Sequence, residues 1–589
     1  MDAFTYPIDT KLLYRKKAKI KRELFEKHGL IKKKVAVLGG STTNEIVEQL
    51  NIFLLYYGIS AEFYQSEFAQ YWQDAMFGSE LLDVFEPDII YIHTNWRNIE
   101  QFPQTANSKQ EVDGLLSDEF ARFSAMWKAL EHKFHCPIIQ NNFDRPDYRL
   151  LGNRDIWDYR GKSNYISRLN QKFYEYAQEH NDFYINDLEY LSADYGLSEW
   201  NNSFYWHMYK CAMCMDAIPY VAQSVANIIK SLYGKNKKVL ALDLDNTLWG
   251  GVVGEDGVEG IKIGPEVPQG QVYAEFQNYC KQLKEIGVVL TVDSKNEMRN
   301  AIAGLEHPGG ILKPQDFVNI KANFEPKDAN LREMADELNL GIDSFVFVDD
   351  NPAERAIVSA QIPEVATPAM DKAENYIKIL DHSGYFEVTT LSAEDRKKTE
   401  MYHAKAAALK SLAMFADYGE YLDSLQMTAI IEDFKPIYIQ RIAQLTNKSN
   451  QFNLTTLRCS EDDIEKMQDA SDYICLCGRL IDKFADNGIV TVVIGQIKQD
   501  ELHIKLWLMS CRVLKRGMED AMMNSLFEQA EKSGIKRVIG YYYPTMKNGM
   551  VKNFYDNYGF EMVDQGNNRI GGILVSQYKK KTLHMNVKE

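Results

Sequence analysis

Lys238-Val-Leu-Ala-Leu-Asp-Leu-Asp-Asn-Thr-Leu-Trp-Gly-Gly251 is the stretch whose reading decides the fold. Four apolar residues, Val239 to Leu242, run into Asp243, Asp245 and Thr247, and the basic linker Gly234-Lys-Asn-Lys-Lys238 precedes them. A short unbroken apolar run bounded by turn residues reads as a central strand of a parallel sheet, buried on both faces. Active sites of open α/β sheets lie just beyond the carboxyl ends of such strands. Two carboxylates two positions apart there repel each other, and one pKa rises unless a cation or a proton intervenes. A divalent metal is the expected answer.

The same passage from apolar strand to polar end recurs downstream. Val288-Val-Leu-Thr-Val-Asp-Ser294 reads as a strand, followed by Lys295 and Asn296. Asn323-Phe-Glu-Pro-Lys327 opens a pattern in which Leu331, Met334, Ala335 and Leu338 recur at helical spacing. Ser344-Phe-Val-Phe-Val-Asp349-Asp350-Asn351-Pro352 ends a third strand in an acidic pair. These four elements, in this order, resemble the four motifs of the haloacid dehalogenase (HAD) superfamily. The longer Leu242-Asp-Leu-Asp-Asn-Thr-Leu-Trp-Gly-Gly-Val-Val-Gly-Glu-Asp-Gly257 is similar to its FkbH-like branch, subfamily IIIC.

The resemblance implies a Rossmann-like parallel sheet and a Mg²⁺-dependent phosphatase or phosphotransferase. Asp243 would be the nucleophile, because a carboxylate attacking phosphorus divides one hydrolysis into two easier steps through an aspartyl-phosphate. Asp245 would be the general acid and then the base. Ser294 and Lys327 would hold phosphoryl oxygens and neutralise the charge that develops on them, and Thr247 of the first motif is a further expected catalytic residue. Asp243, Asp349 or Asp350, and Asp245 through its backbone carbonyl, would bind Mg²⁺, a hard ion that prefers oxygen. Asn246, Lys295, Asn296 and Asn351 are the expected substrate contacts. Neither the interval from Thr247 to Ser294 nor that from Ser294 to Lys327 has room for a large cap domain, so the site should be open, with Gly250 to Gly264 as a small flap at its mouth.

A chain of 589 residues implies three or four domains, and a net charge of −16 argues against a nucleic-acid binder. No apolar run is long enough to cross a bilayer and no signal-peptide pattern opens the chain, so the cytoplasm is expected, with no membrane partner. The eight cysteines are scattered. Cys211 and Cys214 have metal or redox spacing, but no second pair follows, and buried reduced thiols are the expectation.

Residues 1–233 should form an α/β domain. Lys34-Val-Ala-Val-Leu-Gly-Gly-Ser41, Pro87-Asp-Ile-Ile-Tyr-Ile-His-Thr-Asn95 and Cys136-Pro-Ile-Ile-Gln140 read as strands ending in polar residues. Their order resembles a flavodoxin-like, three-layer SGNH-hydrolase domain, in which Ser41, Asn95 and His207 would be a second site. Phe204 stands where that family places the Asp that orients the imidazole, which points to binding rather than esterase chemistry. Residues 234–370 should form the HAD domain. Residues 371–589 hold linker helices, including a helical run from Glu394 to Ser424, and then a small antiparallel sheet with turns at Asp486-Asn487-Gly488 and Gln499-Asp500.

Arg441-Ile-Ala-Gln-Leu-Thr-Asn-Lys-Ser-Asn-Gln-Phe-Asn453-Leu-Thr-Thr456 is a second stretch similar to FkbH-like proteins. The segment from Leu506 through Cys511, Arg512 and Gly517 into an apolar-patterned helix, closed by Tyr555, resembles an α+β GNAT acyltransferase. There Cys511, Arg512, Gly517 and Tyr555 would serve acyl-CoA, a phosphopantetheine arm or a carrier protein, although Lys515 fills a position that family gives to Gly. FkbH-like proteins are associated with moving a glyceryl unit from 1,3-bisphosphoglycerate to an acyl carrier protein. Glyceryl-loading members commonly have a Cys before the second-motif Ser, and this chain has Asp293. The expectation is therefore a HAD phosphatase or phosphotransferase acting on a phosphorylated small molecule. Its alternatives are a sugar-phosphate or small-metabolite phosphatase in polysaccharide biosynthesis, and a GNAT-type acyltransferase scaffolded by the HAD domain.

Overall fold

The structure, a computed structural model, describes residues 2–26, 29–391, 398–404, 417–449, 451–510, 513–545 and 547–588. They fall into two compact units. One is Ile8–Lys235 with the residues up to Phe4, and the other is Thr5–Pro7 with the chain from Asn236 on. No helix among the described residues is long and apolar enough to cross a membrane.

In the first unit β1 (Ile31–Gly39), β2 (Ile59–Gln65), β3 (Ile89–His93), β4 (Ile138–Asn141) and β5 (Phe183–Asn186) form a parallel sheet in the order β2-β1-β3-β4-β5. Successive side chains of a strand point to opposite faces, so a strand buried on both sides serves two cores. Val35 and Val37 pack with Leu50, Phe53 and Val225, whereas Ala36 and Leu38 face Phe123, Trp127 and Phe173. Helices accordingly cover both faces, and the polar residues gather where the strands end.

The second unit holds two sheets. β6 (Val239–Leu242), β7 (Val289–Ser294), β8 (Asn319–Ala322) and β9 (Phe345–Val348) are parallel in the order β8-β7-β6-β9. Leu240 lies opposite Leu290 on one side and Val346 on the other, which makes β6 central. Leu240, Leu290 and Val346 share one core, while Val239, Val289 and Phe345 pack against Leu331, Met334 and Leu338 of the helix Lys327–Leu338. No separate cap domain interrupts the motifs. Residues 250–264 form a small flap, pinned by Gly250 and Lys262, whose backbones exchange hydrogen bonds of 3.0 and 2.8 Å.

The other sheet comprises β10 (Met427–Asp433), β11 (Phe452–Asn453), β12 (Tyr473–Ile481), β13 (Asp486–Lys498), β14 (Glu501–Met509), β15 (Arg537–Tyr542), β16 (Glu561–Gln565), β17 (Asn568–Leu574) and β18 (Met585–Lys588). It is antiparallel except where β14 meets β15 and β10 meets β18. β14 and β15 pair only over Glu501–His503 and then part. Residues 452–454 enter the gap: Phe452 pairs with Met509, Leu454 N donates to Trp507 O at 3.0 Å, and Tyr543 N donates to Leu454 O at 2.8 Å.

Two expectations shift here. The turn between β12 and β13 is residues 482–485, not Asp486-Asn487-Gly488, because Asp482 Oδ1 accepts from Phe484 N and Ala485 N and closes the chain earlier. Much of the helical run from Glu394 to Ser424 lies outside the described residues, and Tyr418–Ser424 is helical.

Candidate active site

β6 stops at Leu242, and the next amide, Asp243 N, still donates to Val348 O at 2.9 Å. The chain then turns tightly: Leu248 N donates to Leu244 O, and Asn246 takes a left-handed φ of 56°. That turn sends Asp243, Asp245 and Asn246 into one cleft, of about 350 Å³, with Leu244 buried beneath. Ser294 and Lys295 reach it from the end of β7, Lys327 from the first position of its helix, and Asp349, Asp350 and Asn351 from beyond β9. Nine residues singled out from four stretches of sequence thus line one wall or another of a single opening.

Lys327 Nζ donates to Asp243 Oδ1 at 2.8 Å and pairs still more closely with Asp349. Carboxylate oxygens of Asp243, Asp349 and Asp350 all lie within 4.8 Å of one another. Three carboxylates around one ammonium leave an excess of negative charge in a site where Asp243 is 6% and Asp349 1% exposed. Burial raises the Asp243 pKa, the Asp349 charge adds to this, and Lys327 opposes it. Burial and Asp349 likewise raise Asp350. Burial works against the Lys327 ammonium, but the two carboxylates outweigh it and hold its pKa above the ordinary value. An all-oxygen cluster with surplus negative charge fits a hard divalent cation.

Two expected contacts, those of Asn296 and Thr247, change with the geometry, and the Asp245 carboxylate is held apart from the clustered oxygens. Its Oδ1 accepts from Trp249 Nε1 at 2.9 Å and Val253 N at 3.0 Å, and its Oδ2 from Asn296 Nδ2 at 3.0 Å. Asn296, expected to touch substrate, is instead buried and holds Asp245. Thr247 is wholly buried under the floor, where its Oγ1 accepts from Asp350 N at 3.2 Å and ties the first motif to the fourth. Lys295 lines the mouth in an ion pair with Glu354 at 2.6 Å.

Residues 34–230 match the family model for the FkbH N-terminal domain. The N-terminal part of the protein BF1531 from Bacteroides fragilis, which contains a phosphatase domain and is complexed with Mg, is similar at 29% identity over 64% of this chain and 99% of that one, with a TM-score of 0.59. The chain thus resembles FkbH-like proteins with a HAD-type phosphatase domain. The chain also has weaker likenesses. The ribosomal-protein-S18-alanine N-acetyltransferase from Escherichia coli is similar over 26% of this chain and 98% of its own, at 13% identity and a TM-score of 0.21. A GNAT-family acetyltransferase from Streptococcus pneumoniae is similar over 25% and 98%, at 16% identity and a TM-score of 0.21. No curated protein matches the chain.

Away from the cleft, the segments that carry Ser41, Asn95 and His207 approach one another, since Thr42 Oγ1 donates to Tyr209 O at 2.6 Å and the Arg97 guanidinium lies over the Trp206 ring. Ser41 and Asn95 are buried at the strand ends of the first unit, close to each other through Asn98, whose Nδ2 donates to Gly40 O while its Oδ1 accepts from Asn95. A Cβ on Gly40 would lie 2.4 Å from the Asn98 amide, so this close approach requires glycine. His207 is exposed on the helix Ser203–Tyr209, and no contact among the described residues joins it to Ser41 or Asn95. With Phe204 three positions earlier, no carboxylate stands there to orient its ring. The fold buries a different imidazole there. His93 Nδ1 lies 2.8 Å from Tyr91 Oη and 3.0 Å from Asn141 Nδ2, and burial pushes its pKa down to about 4.

In the C-terminal sheet, Cys511 and Arg512 lie outside the described residues. Gly517 adopts a φ of 78° and caps the helix Met518–Lys532. Tyr555, expected at an acyl site, is a core residue: it is 1% exposed, and a Cβ on Gly540 would lie 2.7 Å from its ring.

Sequence reasoning missed the groups that hold the site together. Trp249, fully buried, fixes Asp245. Arg355 Nη1 donates to Asp349 O at 2.7 Å and to Asp350 O at 2.8 Å, so the acidic pair is held through its backbone. Trp249 stood inside the first motif, where an indole that needs a partner when buried was a usable signal.

Proposed function

We propose that this phosphatase is Mg²⁺-dependent and works through an aspartyl-phosphate on Asp243. The observation that carries the reading is the cluster of Asp243, Lys327, Asp349 and Asp350 at the end of a central parallel strand, open to solvent. Asp243, Asp349 and Asp350 would hold the ion, which when bound neutralises negative charge on the phosphoryl oxygens. Asp243 attacks phosphorus as the bond to the leaving oxygen breaks, and Asp245 gives that oxygen a proton. A water then attacks the phosphorus, returns a proton to Asp245 and frees phosphate and the Asp243 carboxylate. Ser294 and Lys327 donate to the transferring oxygens throughout.

The substrate is a phosphorylated small molecule or acyl phosphate, as the cleft volume and absence of a cap domain favour. Glyceryl transfer from 1,3-bisphosphoglycerate to an acyl carrier protein is the finer reading, supported by the FkbH N-terminal domain. Asp293 favours the second reading, plain hydrolysis of a sugar phosphate or small metabolite. No cysteine among the described residues lines the cleft to carry a thioester. Among the described residues the acyltransferase alternative has no comparable cluster, since Tyr555 is core.

Phosphate release from a panel of phosphorylated metabolites, including 1,3-bisphosphoglycerate with and without phosphopantetheinylated carrier, with and without Mg²⁺, tests these readings. Metal-dependent release lost in Asp243→Asn is the expected result, and carrier dependence selects glyceryl transfer. No release from any substrate would overturn the proposal.

A further inference from the structure

β7 ends in two adjacent polar residues that face opposite ways. Ser294 lines the cleft, whereas Asp293 lies on the face of Val289, against the helix Lys327–Leu338, and is completely buried. Its Oδ1 accepts from Asn330 Nδ2 at 2.9 Å. Asn330, 3% exposed, sits one turn beyond Lys327, and Asn330 N donates to Pro326 O at 3.2 Å. Its side chain exchanges two hydrogen bonds, of 3.0 and 3.2 Å, with the side chain of Asn323. Asn323 in turn shapes the loop that delivers Lys327. Its Oδ1 accepts from Glu325 N at 3.0 Å, and its backbone N donates to Ser294 O at 3.2 Å.

Lys327 is the first residue of its helix, so its reach depends on where that first turn is seated. Nothing apolar fixes the loop before it, because Phe324 is 74% exposed. The bonds that do fix it run through Asn323 and Asn330 and end on Asp293. A buried carboxyl is a costly way to fill a strand face, and an apolar side chain would serve a purely structural strand better.

We propose that Asp293 and Asn330 are positioning residues that seat Lys327 for phosphoryl transfer. The inference rests on the phosphoryl reading above. It assigns the carboxyl at position 293 a role in this site that does not require it to touch substrate: it acts through Asn330 and the 323–327 loop. Misplacing Lys327 by a fraction of an ångström should weaken the transition state far more than the bound ground state, because the charge it neutralises develops during transfer.

The test is steady-state hydrolysis of p-nitrophenyl phosphate with Mg²⁺ by the full chain. Asp293→Ala and Asn330→Ala should each lower kcat about 10- to 100-fold while KM changes less than about threefold. Asp293→Asn retains an acceptor oxygen for Asn330 and should stay within about threefold of wild type. The double variant should be no worse than the poorer single variant, as expected of residues acting as one unit. Asn323→Ala, at a less buried position, gives a second reading of the same relay. Should Asp293→Ala not fold, a lowered kcat at unchanged KM in Asn323→Ala supports the proposal, and an unchanged kcat there overturns it. A folded Asp293→Ala with wild-type kcat, equal losses in Asp293→Ala and Asp293→Asn, or additive losses in the double variant would also overturn it. Absence of metal-dependent hydrolysis by the wild-type chain would instead bring down the phosphoryl reading on which it rests.

Discussion

At the carboxyl edge of β6, β7 and β9, three carboxylates and an ammonium share an open cleft. At the carboxyl edge of β1, β3, β4 and β5, most of the polar residues are neutral and bond one another, although Ser41 Oγ and His93 Nε2 are buried with no hydrogen-bond partner among the described residues. Tyr91 and Asn141 bond His93, Asn186 Nδ2 donates to Asn141 Oδ1 at 2.7 Å, and Ser224 Oγ donates to Asn186 Oδ1 at 2.7 Å. Both edges sit where parallel sheets commonly place active sites, yet only one has charge left unbalanced. Polar residues at strand ends mark a location. Chemistry needs an excess of charge and an opening as well, and a network of mostly neutral groups bonded to one another supplies rigidity instead.

The contrast can be broken most severely at the charged edge. Asp243→Asn should reduce metal-dependent phosphate release about a thousandfold or more, since the amide is nearly isosteric and a poor nucleophile. The same substitution removes one of three crowded negative charges, so at pH 8 in metal-free buffer Tm should rise, by about 2–4 °C for each kcal/mol of repulsion relieved. Lys327→Met should cost about 100- to 1000-fold in kcat, the scale of losing a donor to developing oxyanion charge. Both rates are read by phosphate release, and a wild-type rate in either variant would remove the asymmetry between the edges.

The neutral edge should answer to pH through stability. His93 is held neutral down to about pH 4, while in the unfolded chain it protonates near 6.5. The unfolded state therefore binds more protons between those values, and stability falls as pH drops from 6.5 toward 4, by about 3 kcal/mol in all. Asp144, buried and pushed up to about 6, works in the opposite sense below that pH. The comparison of wild type with His93→Gln by chemical denaturation isolates the imidazole, and the variant should show the shallower acid loss. The smallest effects are expected from Ser41→Ala and His207→Ala, which should leave phosphate release within about twofold of wild type. A larger loss in either would mean that the first unit contributes to the phosphoryl site.

Much of the charged edge was legible because its chemistry is concentrated in short, ordered stretches: apolar strands that stop at Asp243, Ser294 and Asp349, and a lone Lys opening an apolar-patterned helix. What escaped was indirect. Arg355 acts on backbone carbonyls, which leave no trace in residue type, and Asn330 looks like any polar helix position until Asp293 is seen behind it. Thr247 and Asn296 stood in the motifs, but whether such residues face substrate or brace a neighbour depends on which side of a turn they leave. β2 and β5 were not legible either: β5 is four residues long, and β2 buries one residue fully, so neither shows a strong period. Tyr555 was misplaced for the same reason, as a tyrosine carries the same letter in a core and in a cleft.

The wedge of residues 452–454 between β14 and β15 has a consequence for motion. A sheet whose middle strands diverge would normally leave two rows of backbone groups to solvent, and here one short segment is laced to both rims. The amide protons of Leu454 and Tyr543 can exchange with water only when that lacing comes undone. Their exchange rates therefore gauge how often this sheet parts along its seam, separately from unfolding of the whole unit.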